Sequence, residues 1–152
     1  MSRGFVKDDD DRPERPPARP VSDRPNYVTA RGLELLRGAL ESARADGDRR
    51  NVRYYEERIA GAEVVDPHAA EAGVVAFGRT VRGRDESSGA PIALRIVGED
   101  EADPPHGTIS WASPYAEALL GHRAGDRVIV QRPAGAAAVV IDAVEIDETP
   151  ST

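Results

Sequence analysis

Two apolar stripes separated by a two-residue break constrain this chain more than any other feature. Leu33, Leu36, Leu40 and Ala43 recur at three-four spacing, and so do Val52, Tyr55, Ile59 and Ala62. That spacing lines each set along one side of a helix, as in a coiled-coil seam. Thr29 stands where an N-cap belongs, because its hydroxyl can take an orphan amide of the first turn. The helix it opens is predicted over residues 30 to 46. Gly47 stops it, and Asp48 can cap a second helix over residues 49 to 63. Two such stripes joined by so tight a turn describe an antiparallel helical hairpin. An arm of about 17 residues at 1.5 Å rise is only ~25 Å long. A lone hairpin of that size is marginal in water, so its base should pack on the domain C-terminal to it. Seam spacing alone fits a helical pair inside a globular core equally well.

After Gly73 the period changes to that of strands. Alternation predicts strands over residues 74 to 82, 91 to 97, 108 to 111, 127 to 131 and 137 to 146. Asp85 to Gly89 and Pro133-Ala134-Gly135 read as turns. Between the third and fourth strands, Ser113 is a good N-cap and Pro114 suits the first helical position. They open a short helix, with Ala118, Leu119 and Leu120 as its apolar side and Gly121 as its C-cap. Strands interrupted by one helix give an α+β domain. Aromatics make up only 5% of the chain, so its core must be aliphatic and modest. The division expected is a disordered tail over residues 1–26, a helical hairpin over 27–66 and a sheet domain over 73–147. The tail carries Pro13, Pro16, Pro17, Pro20 and Pro25 among dense charge, too little apolar surface to offset ordering. Asp8 to Asp11 there form no defined cation cage, and Phe5-Val6 could form a small docking element. The last residues, 147–152, should fray.

Charge and composition exclude several functions. The chain has no cysteine, hence no disulfide and no thiolate metal site. Its net charge is −7. Residues 67–152 hold seven basic and thirteen acidic side chains, so the excess is C-terminal. No basic face for duplex phosphates is apparent, and independent sequence-specific nucleic-acid binding is not expected. An acidic surface suits a basic protein partner, and it equally serves only to keep a protein soluble. No apolar run would span a bilayer and the N-terminus lacks a signal-peptide core, which predicts a cytoplasmic protein without membrane contact. Walker, nucleophile-elbow and His-Glu-x-x-His motifs are missing. His68, His106 and His122 sit in polar turns with no ligand spacing. Ser110 and Ser113 near His106 could pair nucleophile with base, but no third orienting group is evident and Ser113 already serves as a cap. These residues therefore predict no catalytic residue, no cofactor and no enzyme.

Two segments carry a family resemblance: IVGEDEAD at residues 96–103, and ISxxSPxAxxLLG at residues 109–121. Both resemble the C-terminal signature of the bacterial Gre transcript-cleavage factors, and the likeness extends from about residue 27 to 146. Tyr115 departs from the aliphatic residue usual after the proline. The start YVTARGLELLRGAL and the end RIAGAEVVDP resemble the ends of the Gre hairpin, with each arm roughly two heptads shorter, ~20 Å less reach, similar to Rnk-type relatives.

The resemblance implies an FKBP-like antiparallel sheet wrapped against the short helix. It also implies a monomer that binds core RNA polymerase at the rim of its secondary channel. Ser110, Ala112, Ser113 and Pro114 would occupy docking positions, although Ala112 stands where an Asp or Asn is usual. In Gre factors acidic residues at the hairpin tip help hold a second magnesium ion of the polymerase. Here Asp46 and Asp48 would be those carboxylates, sharing that ion rather than binding one of their own. Gly47-Asp48 and Asn51 match the ends of the GDxxEN tip motif, but its glutamate is missing and Arg49 and Arg50 stand alongside. Three functions are expected from this likeness: a polymerase-binding elongation regulator without strong cleavage stimulation, a true cleavage factor, or an adaptor that binds another protein.

Overall fold

A computed structural model describes residues 17–147. The expectations for residues 1–16, including Asp8 to Asp11 and Phe5-Val6, and for fraying beyond residue 147, lie outside the described residues. Elements run in the order β1 (Asn26–Val28), α1 (Ala30–Ala45), α2 (Arg49–Ala60), β2 (Ala62–Val64), β3 (Arg79–Asp85), β4 (Pro91–Val97), β5 (Thr108–Ser110), α3 (Pro114–Leu119), β6 (Arg127–Arg132) and β7 (Gly135–Ile146). A 3-10 turn, Pro104–His106, precedes β5.

The hairpin forms as the stripes require. Thr29 caps α1 by accepting from the Gly32 amide, and Asp48 caps α2 by accepting from the Asn51 amide. Leu36 and Ala43 are buried at the seam, while Leu33, Leu40, Val52, Tyr55 and Ile59 are half-buried. The second helix stops three residues short of its expected end. Gly61 caps it, and Ala62, expected as a seam residue, belongs to β2 instead. There it pairs in parallel with Asn26 of β1. This two-stranded ribbon at the hairpin base was not expected from a three-residue strand, which is too short to show alternation. The chain from Arg19 to Pro25, which the sequence assigns to a disordered tail, also has tertiary partners: Arg19 lies on α2, and Ser22 donates to Glu99 at 3.2 Å.

The second sheet has five strands in the order β5-β4-β3-β7-β6. It is mixed, which corrects the expectation of a purely antiparallel sheet: β5 lies parallel to β4, with Ile96 opposite Ile109. The crossover between them runs through the acidic turn and the 3-10 turn, which return the chain to the level of Arg95 so that β5 pairs with the last three residues of β4. The first sheet-domain strand begins at Arg79 rather than at residue 74. The segment before it satisfies its carbonyls differently. Arg79, 2% exposed, donates to the carbonyls of Pro67, Ala70, Glu71 and Val74 at 2.7–2.8 Å. Val75 is bonded by backbone, its amide donating to the His122 carbonyl at 2.8 Å and its carbonyl accepting from the Gly121 amide at 2.9 Å, a bridge too short to make a strand. A bulge between Arg82 and Gly83 bends β3 against β7. A Cβ at Gly83 would lie 2.1 Å from the Val140 carbonyl oxygen, so only glycine fits.

The core follows strand alternation. Val128 and Val130 of β6 and Ala137, Val139 and Ile141 of β7 point inward. Ala116 and Leu119, three apart on α3, close over them with Ile96 and Ile109. The C-cap of α3 is Leu120; Gly121 comes next, with φ of 87°.

Candidate functional site

The acidic segment after β4 joins the two halves of the molecule. At Gly98 a Cβ would stand 2.5 Å from the Tyr27 carbonyl oxygen, so the glycine lets β1 lie directly on the turn. The next three carboxylates all reach back to the hairpin base. Asp100 accepts from Arg58 Nε at 2.6 Å and from the Tyr54 hydroxyl. Glu99 accepts from Arg58 Nη2 at 3.4 Å and pairs with Arg24 at 4.0 Å. Glu101 accepts from the Thr29 hydroxyl at 2.5 Å, while Thr29 caps α1. Arg58 is only 2% exposed and also donates to Asn26 Oδ1 at 2.7 Å. Burial, and then the bond to Asp100, push the Tyr54 hydroxyl up to about 12. Sequence reading missed this clasp. Its available signal was Arg58 beside the seam residue Ile59, with three consecutive acids far along the chain.

The Ser110–Pro114 positions form one rigid corner between β5 and α3. The Ser110 carbonyl accepts from the Ser113 amide at 3.0 Å and from the Ser113 hydroxyl at 2.7 Å. Ser110 Oγ accepts from the Ala112 amide at 3.1 Å, and Ser113 Oγ accepts from the Ala116 amide at 3.2 Å. Both hydroxyls thus shape the corner, and neither is held by a histidine. Ser110, Ala112 and Ser113 are half-buried and Pro114 is exposed. Behind the corner, Trp111 meets Tyr27 edge-on at 5.0 Å. Its buried indole N–H has no acceptor among the described residues. Tyr115 is half-buried, and burial raises its hydroxyl above the ordinary range.

At the hairpin tip, Gly47 takes φ of 68°, a turn that favours glycine. Asp48 Oδ1 accepts from the Asn51 amide at 3.1 Å, and Oδ2 accepts from the Asn51 side chain at 2.7 Å. Both oxygens of that carboxylate serve the cap, whereas Asp46 is exposed. Among the described residues, Arg49, Arg50 and Arg53 make no ion pair. No hydrogen bond or ion pair among the described residues joins the tip to the Ser110–Pro114 corner. The histidines each have a carboxylate neighbour that sequence reading did not assign: Asp66 for His68, Asp103 for His106 and Asp126 for His122. Asp126 is held below the usual carboxylate range by the Arg123 amide and the His122 ring.

Among the described residues, no helix is long and apolar enough to cross a membrane.

Comparison with known proteins places residues 70–146 in the family described as Transcription elongation factor, GreA/GreB, C-term. Transcription elongation factor GreA of Alkalilimnicola ehrlichii is 38% identical over 141 positions, covering 71% of this chain and 89% of that protein. GreA of Verminephrobacter eiseniae is 39% identical over 122, covering 74% and 77%. The first alignment draws on 71% of 152 residues, about 108, so about 33 of its 141 positions have no counterpart here. A solved GreA/GreB factor from Nitrosomonas europaea is 31% identical, covering 79% of this chain and 98% of that one, with a TM-score of 0.44.

Proposed function

Because this chain belongs to the GreA/GreB family of transcription elongation factors, we propose that it binds RNA polymerase at the rim of the secondary channel and regulates elongation with little stimulation of transcript cleavage. The Ser110–Pro114 corner is the docking element in this reading, and the hairpin points into the channel. The protein carries no catalytic residue of its own. Any hydrolysis belongs to the polymerase, and the protein acts as a monomer in the cytoplasm.

The observation that carries the reading is the length of the hairpin. Arms of 16 and 12 residues reach only ~24 and ~18 Å at 1.5 Å per residue. Delivering a carboxylate to a metal-dependent reaction needs placement to within about an ångström. An arm that stops ~20 Å short misses that mark. Asp48 has also committed both oxygens to capping, and Arg49 and Arg50 beside it oppose recruitment of a cation.

The test has two steps. Purified core polymerase is mixed with the protein at low salt, where contacts between opposite charges are strongest. Absence of binding there refutes both polymerase readings and leaves an adaptor for another protein. A stalled, backtracked elongation complex with magnesium then separates regulator from cleavage factor. The exposed Asp46 favours the second of these. Rapid release of 3′ fragments, abolished by Asp46→Ala with Asp48→Asn, would make this a cleavage factor; binding without release is expected.

A further inference from the structure

The residues leading into β1 lie along the hairpin. Arg19 places its guanidinium 3.7 Å from the centroid of the Tyr54 ring and 5.5 Å from that of Tyr55. The Tyr54 and Tyr55 rings meet edge-on at 5.3 Å, so the cation sits on an aromatic pair. Arg19 Nη1 donates to Asn51 Oδ1 at 3.0 Å and toward the Tyr55 hydroxyl at 3.5 Å. Asn51 passes the contact on, because its amide nitrogen donates to Asp48 Oδ2 at 2.7 Å. The other end of the segment is tied to the acidic turn, Ser22 to Glu99 at 3.2 Å and Arg24 to Glu99 at 4.0 Å.

We propose that residues 19–25 are a brace belonging to the hairpin, and that Arg19 is a positioning residue for the tip, acting on Asp48 through Asn51. Three physical points support this. Each arm is at or near the length at which an isolated helix is marginal, so an outside support matters. The first turn of α2 contains no acidic residue, and Arg49 and Arg50 oppose the positive end of its dipole. The Asp48 cap must therefore hold that turn with little help. Asn51 is the side chain that fixes the cap, and an Asn amide is oriented by what its oxygen accepts. Arg19 supplies that donor from 32 residues away in sequence, which turns a local cap into a tertiary one. The consequence for polymerase rests on the reading above, since the tip is the part that would approach the channel. The brace itself is a property of the free protein and is tested there.

The experiment uses the full chain, labelled for nuclear magnetic resonance, and the variants Arg19→Ala, Arg19→Lys, Asn51→Ala and Arg19→Ala with Asn51→Ala. A stacked cation plus a charge-assisted hydrogen bond predicts that Arg19→Ala speeds exchange of the Asn51 and Val52 amides about tenfold. Amides of β3 and β7 should be unchanged. The Asn51 side-chain amide signals and the Asp48 carboxyl carbon should shift together, and Arg19→Lys should restore them in part. In the double variant the loss should fall well below the sum of the single losses, because both residues act through one contact. Additive losses would show that Arg19 only covers the tyrosines and would overturn its positioning role. Exchange within about twofold of the parent, or equal loosening of β3 and β7, would overturn the brace. Polymerase binding by the parent plays no part in these outcomes, so failure here and failure of the polymerase reading are distinguishable.

Discussion

Replacing Arg58 with Met should separate the hairpin from the sheet domain without emptying the space. Met keeps the apolar stem and removes only the guanidinium. Three partners then lose a donor: Asp100 at 2.6 Å, Asn26 Oδ1 at 2.7 Å and Glu99 at 3.4 Å. Asn26 is 6% exposed, so its oxygen pays a desolvation cost of about 1–3 kcal/mol. The Asp100 carboxylate, 15% exposed, loses a charge-assisted bond of roughly 1.5–3 kcal/mol. Glu99 is more open, its contact is longer and it keeps Arg24, so it adds little. The expected loss is about 3–5 kcal/mol, the range found when one partner of a buried ion pair is removed. Because the contact joins two parts, the loss should appear in the hairpin first. Urea unfolding followed by far-ultraviolet circular dichroism should show an early helical step, with amides of β3 and β7 losing exchange protection later. Arg58→Lys should recover little, since one ammonium cannot reproduce the planar fork. A loss below about 1 kcal/mol, or a single unshifted transition, would refute the clasp.

Four further outcomes are expected. Leu36→Asp puts a carboxylate at a buried seam position and should cost ~4 kcal/mol or more, read as lost helicity; unchanged helicity would mean the seam lies on another face. Gly98→Ala drives a methyl against the Tyr27 carbonyl and should cost about 1–3 kcal/mol, lowering the melting temperature, whereas an unshifted melt would show that β1 can simply move away. Tyr54 is raised from 10.0 to about 12 in the folded state, so the fold favours its neutral form; that contribution is whole below pH 10.0 and lost as pH rises through about 12. Tyr54→Phe should remove the last phenolate step in an ultraviolet titration, and an unchanged late step would assign it to another tyrosine. Pro114→Arg should leave the melt unchanged, because Pro114 is exposed, and weaken competition with a GreA factor for polymerase; undiminished competition by the folded variant would count against this corner as the docking element.

How much was legible in the sequence depends on how local each determinant is. The caps were legible: Thr29, Asp48 and Ser113 each bind an amide three residues on, a relation within one turn. Both hairpin helices and most strands could be read from periodicity, which needs only a window of neighbours. The corner residues 110–114 and the tip residues Asp46 and Asp48 were nameable by resemblance, and the hydrogen bonds add why the two serines stand there. Periodicity failed where a side chain from elsewhere satisfied the backbone. Residues 74–78 read as strand, but they make only an isolated bridge to residues 121–123, and the Val74 carbonyl is taken by the Arg79 side chain. It failed again at Ala62, where helix gave way to a ribbon whose partner, Asn26, lies 36 residues earlier.

The sequence by itself determined that this chain makes a short helical hairpin and then a sheet domain with one helix, because hydrophobic period and capping chemistry act within a few residues. Only the tertiary structure decided how those parts are joined. Arg58 and Arg79 look like ordinary charged residues in the sequence, and folding buries both to 2% exposure. Burying a guanidinium is tolerable only where acceptors converge from several segments. For Arg58 those are Asn26, Glu99 and Asp100; for Arg79 they are four carbonyls of the linker. Such convergence is a property of three-dimensional arrangement, and no window of neighbouring residues contains it. The parallel placing of β5 has the same origin: its direction is set by where the acidic turn and the Pro104–His106 turn return the chain against β4, and a three-residue strand carries no signal of direction.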